Sequence, residues 1–225
     1  MGNLGESLIE ELTCETVFTV HGIGISESVV VTWIIMAAVL LASILLTSRL
    51  KVENPSRGQL LLEHAVVSIQ NIGTGIIGEE GRQYGAYLSA ILIYIGVANT
   101  IGILGFKPPT KDMNVTAALA LMSIVLIEFA GIHKKGVRGW LKSFAEPIAI
   151  VTPINILEVF IKPLSLCMRL FGNVIGAFVI MKLIEHILPW VLPIPFSMYF
   201  DIFDGLIQAY VFVFLTGLFI KEAIE

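Results

Sequence analysis

The stretch Lys162-Pro163-Leu164-Ser165-Leu166-Cys167-Met168-Arg169-Leu170-Phe171-Gly172-Asn173 places one permanent charge in a segment apolar enough to lie in lipid. Between Leu164 and Met181 the only ionisable side chains are Arg169 and the Cys167 thiol. A guanidinium stays protonated in proteins, and inserting an arginine at the centre of a membrane helix costs at least about 2.5–3.5 kcal/mol. Arg169 is therefore the first candidate for a functional residue.

The composition of the chain predicts a membrane protein. Its 225 residues are 56% hydrophobic and only 14% charged, whereas soluble domains have about 25% charged residues. A soluble core of this length could not bury so much apolar surface, so lipid must act as part of the solvent. The net charge is −4, and no basic stripe predicts a nucleic-acid partner. Cys14 and Cys167 are expected to be free thiols, and the histidines lack ligand-spaced partners, so no metal or other cofactor is predicted.

Five long apolar segments predict an all-α protein with about five membrane-spanning helices. The predicted spans cover about residues 29–49, 84–106, 113–132, 144–187 and 196–221. An acidic external segment, residues 1–28, precedes a single membrane domain of residues 29–225. The first span is not expected to be a cleaved signal peptide, because no basic region comes before it.

Basic residues in the connections predict the orientation of the chain. Residues 1–28 contain five glutamates and neither Lys nor Arg, whereas the connection after the first span and the stretch 133–142 are rich in both. This pattern places the N-terminus outside and the C-terminus in the cytoplasm. The absence of a mitochondrial-type transit segment favours a bacterial plasma (inner) membrane, with an organelle-encoded subunit as the alternative. The external pair Lys107 and Lys111 fits the pattern least well.

Two connections have patterns of their own. Residues 56–78 mix apolar and polar positions at roughly helical spacing, which predicts an amphipathic helix on the cytoplasmic surface, with a buried re-entrant segment as the alternative. Pro189, Pro193 and Pro195 interrupt helix formation and predict a tight external turn. The last two spans would then form an antiparallel hairpin.

The predicted hairpin carries most of the polar candidates. On its first helix, steps of three or four residues align one face: Ser165, Arg169, Gly172, Asn173 and Gly176. The two glycines form a small-xxx-small pattern that lets another helix approach closely. On its second helix a similar face contains Asp201, Asp204 and Gln208.

Each polar candidate also has a structural interpretation. Arg169 could pair with Asp201 or Asp204 across the hairpin, and these acids could instead be interfacial. Gln208 and Asn99 could make hydrogen bonds that only pack helices together. Three further sites have local alternatives: Glu158 could pair with Lys162, Glu128 could pair with the adjacent basic loop, and Glu185 and His186 could lie at the membrane interface.

The run from Lys162 to Leu166, followed by Arg169-Leu170-Phe171-Gly172-Asn173, resembles the signature of subunit a of F-type ATP synthases. Residues 108–116 resemble that family's external loop before its third span. Pro55-Ser56 with Gln59 and Glu63 resembles the start of its surface helix, and Leu206 to Phe212 resembles its Gln-Ala segment. The resemblance covers nearly all residues from about 28 to 220.

The resemblance implies a stator channel. In that family subunit a lies with a tilted hairpin against a ring of c subunits, each with a membrane carboxylate, beside the b-subunit peripheral stalk. Arg169 matches the arginine that separates two aqueous half-channels. Gln208 matches the glutamine that faces it, and Asn173 matches the asparagine on the same face. Gly172 and Gly176 would allow close packing on the ring.

The chain also departs from the family pattern. The family often has an acid nine residues after the arginine, where this chain has Phe178. Asp201 stands where the family has a His or an acid, so Asp201 and Asp204 are expected to supply the polarity of the external half-channel. Further half-channel candidates are Glu185, His186, Glu158, Glu128 and Asn99. The coupling ion is expected to be H⁺, with Na⁺ left open because selectivity depends largely on the ring.

Two other classes of function are alternatives. A stand-alone secondary transporter or ion channel would be supported by inverted repeats, and the sequence shows none. An intramembrane enzyme could use the pair Asp201 and Asp204, but no catalytic motif accompanies them. No phosphate-binding loop occurs either, so the chain is not expected to be an enzyme on its own.

Overall fold

Apolar runs without charges become helices, because in lipid only intrachain hydrogen bonds can satisfy the backbone. The computed structural model describes residues 16–20, 23–48, 50, 51, 55–104, 106–144, 149–187 and 193–225. In this part of the chain a strand pair precedes seven α-helices: β1 Thr16–Val20, β2 Ile23–Ser26, α1 Glu27–Thr47, α2 Arg57–Ile77, α3 Gly85–Thr100, α4 Met113–Ser143, α5 Thr152–Ile187, α6 Pro193–Ser197 and α7 Gly205–Ile224. A π-helical stretch, Met198–Asp204, joins α6 to α7.

Six helical segments of the described chain are long and apolar enough to cross a bilayer. They comprise α1, α2, the segment around α3, α4, α5 and the segment from Pro195 to Ile224. The prediction of an all-α membrane protein is confirmed. The antiparallel pair of β1 and β2 was not predicted, because two strands of five and four residues have little periodicity to detect.

The helix α2 is the segment that was predicted to lie on the membrane surface. Its first turn is tied to the chain after α1, because the Gln59 side chain makes hydrogen bonds of 3.0 and 2.8 Å with the backbone N–H and C=O of Lys51. Its last turns pack where α3 begins, with Gly73 beside Gly85. The helices α1 and α3 are antiparallel neighbours, so both ends of α2 lie at one end of the bundle. Because α2 is itself long and apolar enough to cross a bilayer, the surface helix and the five crossings stay predictions.

Several helix boundaries differ from the prediction. A 3₁₀ turn, Glu79–Tyr84, leads into α3 before the predicted start of the second span. The helix α4 continues past residue 132 to Ser143, with a sharp break at Gly136, whose φ of 71° is left-handed and favours glycine. The last helical segment begins at Pro193 rather than 196. The predicted turn falls partly on residues 188–192, which lie outside the described residues, as do Cys14 and four of the N-terminal glutamates.

The core of the bundle is formed by α3, α4 and α7, and α5 packs across it. Its buried apolar side chains include Leu88, Ile95, Ile127, Leu170 and Phe212. The helix α5 has 36 residues and is therefore about 54 Å long, whereas the hydrocarbon core of a bilayer is about 30 Å thick. A straight helix of this length fits within the hydrocarbon core only if it is strongly tilted, and the tilted hairpin that the resemblance implies stays a prediction.

Candidate functional site

Arg169 lies exposed on α5. Within the described part of the chain it makes no ion pair and no hydrogen bond. Asp201 has a different partner, because the Ser197 hydroxyl donates a 2.6 Å hydrogen bond to its carboxylate. The alternative of an ion pair between Arg169 and this chain's own aspartates is therefore absent from the structure.

One turn further along α5, Asn173 joins the two arms of the hairpin. Its side-chain amide donates a 2.6 Å hydrogen bond to the side-chain oxygen of Gln208 on α7. Gln208 is 3% exposed, and its Nε2 has no hydrogen-bond partner among the described residues. A buried N–H group without a partner is costly, so this donor is a candidate contact for water, an ion-carrying group or a neighbouring subunit.

Gly172 and Gly176 leave the same face of α5 open. A Cβ atom placed on either glycine would have no neighbour within 4 Å. Other glycines of the bundle are packed: a Cβ on Gly205 would lie 3.0 Å from the Cβ of Asn99. The open glycines therefore do not serve packing between the described helices of this chain.

A cavity of about 340 Å³ lies between the C-terminal half of α5, the π-helical stretch and the loop before α4. It brings together five of the predicted residues: Asn99, Glu185, Asp201, Asp204 and Gln208. Asp201 and Asp204 both belong to the π-helical stretch, and π-helical turns occur frequently at functional sites.

Asn99 forms a buried link at this cavity. Its amide donates to the backbone oxygen of Gly205 at 3.1 Å, and its side-chain oxygen accepts a 2.8 Å hydrogen bond from Thr110. Asn99 and Thr110 are 5% and 0% exposed. The link holds α3, the loop before α4 and the start of α7 together, which agrees with the packing role considered for Asn99.

The remaining candidates lie away from the cavity wall. Glu158 makes the expected pair with Lys162 at 3.6 Å, and Lys162 also contacts Glu222 of α7 at 3.2 Å. Glu128 accepts a 2.8 Å hydrogen bond from the indole N–H of Trp140. This contact is possible because the break at Gly136 turns the end of α4 back on itself. His186 is exposed in the last turn of α5.

The sequence analysis did not identify several residues that line the cavity. Lys111 is 7% exposed, and its Nζ lies 3.6 Å from the ring centroid of Phe178. Lys182 lines the same cavity and pairs with Glu185 at 3.2 Å. A lysine in a loop is normally expected to be an exposed charge. The sequence indicated that Lys111 is unusual only because Lys107 and Lys111 fitted the orientation pattern poorly. In the structure Lys107 pairs with Glu27 at 3.4 Å, and Lys111 is buried.

Long apolar helices around a polar cavity, with an arginine on an open face that has no partner among the described residues, define a polytopic helical membrane protein. A family model described as ATP synthase A chain matches residues 29–221. The chain is 38% identical over 210 residues to an ATP synthase subunit a of Moorella thermoacetica, covering 93% of this chain and 95% of that protein. It is 37% identical over 214 residues to an ATP synthase subunit a 2 of Bradyrhizobium sp., covering 95% of each.

A third relative, an ATP synthase subunit a 2 of Acaryochloris marina, is 32% identical over 212 residues, with 93% of this chain and 90% of that protein covered. The chain therefore belongs to the ATP synthase A chain family. The resemblance seen in the sequence is confirmed over nearly the whole chain. As a member of this family, the chain is a membrane subunit of an ATP synthase and not an enzyme in its own right.

Proposed function

We propose that the chain is the stator ion channel of an F-type ATP synthase, in which two half-channels load and unload ions on the carboxylates of a c-subunit ring. The observation that carries this proposal is Arg169, exposed and without a partner in the described part of the chain, on the same face as the open glycines 172 and 176. A ring of helices with acidic groups is the partner that this face would fit.

The electrostatics of the face explain the role of Arg169. A ring carboxylate can face lipid only in its neutral form, because burying an isolated charge is very costly. Opposite a guanidinium the ionised form is favoured, since unit charges about 4 Å apart attract by about 4 kcal/mol at an effective dielectric constant of 20. The carboxylate therefore releases its ion on arrival and takes up another on departure. Because arginine keeps its proton, it also prevents ions from leaking directly between the half-channels.

The cavity is the natural outer half-channel. Asp201 and Asp204 supply carboxylates there, and Gln208 connects the cavity to Asn173 and the face that bears Arg169. At the opposite end, the cluster of Glu158, Lys162 and Glu222 supplies charged groups for the inner half-channel, with Glu128 as a further candidate. His186 and Glu185 would lie near the outer mouth.

The partners and the orientation follow from the same proposal. The chain would contact the c-subunit ring through the hairpin and the b-subunit peripheral stalk elsewhere in the complex. The membrane is proposed to be a bacterial inner membrane, with the N-terminus outside and the C-terminus in the cytoplasm. The link between Glu27 and Lys107 supports placing the start of α1 and the loop before α4 on the same side. H⁺ is the proposed coupling ion.

The decisive experiment is Arg169→Ala in the purified complex, reconstituted into vesicles. We expect the complex to assemble and ATP-driven ion transport to be abolished. Arg82→Ala is the matched control, because Arg82 is an exposed arginine that pairs with Glu79, and it should leave transport unchanged. A fully coupled Arg169→Ala complex would overturn the proposal. Dependence of transport on Na⁺ in the same vesicles distinguishes a sodium from a proton machine.

A further inference from the structure

Gly102 is a glycine whose missing side chain leaves room for a carboxyl group. It belongs to the 3₁₀ turn Ile101–Leu104, which follows α3, and it lines the same cavity as Asp201. The three atoms nearest to a Cβ placed on Gly102 would all belong to the Asp201 carboxyl group: Oδ1 at 3.0 Å, Cγ at 3.2 Å and Oδ2 at 3.5 Å. Close contacts between carbon and oxygen are normally about 3.3–3.6 Å. The carboxyl group therefore occupies part of the space that a side chain at position 102 would need.

The Asp201 carboxyl group has little freedom to move away from this position. Its Oδ2 accepts the 2.6 Å hydrogen bond from the Ser197 hydroxyl, so one oxygen is held by Ser197 while the other faces Gly102. The backbone nearby is also fixed, because Asn99 donates its 3.1 Å hydrogen bond to the Gly205 oxygen, and a Cβ on Gly205 would lie 3.0 Å from that of Asn99. The end of α3 and the turn after it thus contact the π-helical stretch at its middle and at the residue that follows it.

The conformation of the chain at position 102 does not itself require glycine. Among the described glycines, the ones with a left-handed φ are Gly78 and Gly136, and only such a φ would disfavour other residues. Alanine also has a higher helix propensity than glycine. A side chain at position 102 is therefore opposed by the Asp201 carboxyl group and not by the backbone.

We propose that Gly102 is a positioning residue of the outer half-channel: because it has no side chain, the Asp201 carboxyl group can lie against the cavity wall in the orientation that Ser197 holds. The inference rests on the proposed function, in which this acid passes ions along the cavity. Such a group must lie within reach of its neighbours, and in enzymes a displacement of about 1 Å can lower a rate by about a hundredfold. A methyl group at position 102 would displace the carboxyl group and leave its chemical identity unchanged.

The test compares Gly102→Ala with the unaltered chain in the purified complex, reconstituted into vesicles. We expect the complex to assemble and ATP-driven ion transport to fall by roughly tenfold. Gly96→Ala is the matched control, because Gly96 is a buried glycine of α3 whose Cβ would meet Leu206 at 3.8 Å, an ordinary contact. It should leave transport unchanged. Unchanged transport in Gly102→Ala would overturn the inference.

A double-mutant cycle shows whether the methyl group acts through the carboxyl group. Asp201→Ser removes the carboxyl group, keeps a hydroxyl and leaves Asp204 in the cavity, so partial transport should remain. Adding Gly102→Ala to Asp201→Ser should cause no further loss, because the methyl group then has room. If Gly102→Ala causes the same loss with and without Asp201→Ser, the glycine serves packing alone and the inference is overturned.

The same cycle is measured in the midpoint of thermal unfolding of the purified complex, so that it can be followed even where transport is lost. Gly102→Ala should lower the midpoint by about 2–4 °C when Asp201 is present and should not lower it in the Asp201→Ser background. If Gly102→Ala prevents assembly, recovery of the complex by Asp201→Ser supports the inference, and failure to recover overturns it.

The two proposals fail in different ways. If Arg169→Ala still couples ATP hydrolysis to transport, the proposed function is wrong. If Arg169→Ala abolishes coupling while Gly102→Ala transports ions at the normal rate, only the role of Gly102 is wrong.

Discussion

The side-chain amide of Asn173 donates a 2.6 Å hydrogen bond to the side-chain oxygen of Gln208 and thereby ties α5 to α7 one helical turn from Arg169. Gln208 is buried and lines the polar cavity, whereas Asn173 lies on the exposed face of α5. This pair is therefore the point where the inside of the subunit meets the surface proposed for the ring. A change at either residue should affect both the packing of the hairpin and the passage of ions.

The first prediction concerns this pair. Asn173→Ala leaves the buried oxygen of Gln208 without its donor, which should destabilise the subunit by about 1–3 kcal/mol. Replacing both residues by leucine removes both polar groups and should recover much of that stability. Ion transport should nevertheless remain impaired in the double variant, because the polar route is lost. Thermal unfolding in detergent and ATP-driven transport in vesicles would measure the two effects.

Gln70→Ala is the control for the pair, because Gln70 is an exposed amide on α2. It should leave both stability and transport unchanged. A double leucine variant that transports ions at the normal rate would show that the Asn173–Gln208 contact only packs the hairpin.

The second prediction concerns the open glycines of α5. Gly172→Leu and Gly176→Leu add side chains where no atom of the described chain lies within 4 Å. Leucine also has a higher helix propensity than glycine, so the subunit itself should fold at least as well. The added bulk should prevent close contact with the ring. We expect normal subunit levels but loss of the ring from the purified complex on native gels.

Two other glycines test whether this effect is specific. Gly58→Leu on α2 is also open and should leave the complex intact. Gly205→Ala should instead destabilise the subunit, because its Cβ would lie 3.0 Å from that of Asn99. Retention of the ring by both leucine variants of α5 would contradict a ring contact on this face.

The third prediction separates two roles for Glu128. Its carboxylate accepts the indole N–H of Trp140 at 2.8 Å. If Glu128 serves only to hold Trp140 in place, Glu128→Gln keeps a hydrogen-bond acceptor and should preserve stability and transport. Glu128→Leu leaves the indole N–H without an acceptor and should lower the free energy of unfolding by about 1 kcal/mol. Thermal unfolding and transport of both variants provide the measurement. A stable Glu128→Gln complex that no longer transports ions would show that an ionisable group is needed there.

The membrane helices could be predicted from the sequence because lipid requires uninterrupted apolar runs. The extra length of α4 could not be predicted, because its last turns are rich in basic residues and follow Gly136, whose left-handed backbone breaks the helix. Periodicity places Asp201, Asp204 and Gln208 on one helix face, but it cannot report which face of a partner helix they meet. For the same reason the sequence left the partner of Arg169 open between its own aspartates and another subunit.

The contact between Lys111 and Phe178 shows a second limit. These residues are far apart in the chain, and each has a plain local interpretation: a loop lysine and a lipid-facing aromatic residue. Only the packing of the loop before α4 against α5 brings the cation over the ring. The sequence did indicate a difference at position 178, because the acid expected there from the resemblance is missing.

The length of α5 has a geometrical consequence for any path along the hairpin. If a straight helix about 54 Å long lies within a layer about 30 Å thick, its two ends are displaced from each other by roughly 30 Å or more in the plane of the membrane. Openings at opposite surfaces would therefore not lie above one another. Under the proposed function, an ion that enters at one opening would reach the other by lateral transport in the plane of the membrane, which a rotating ring would provide.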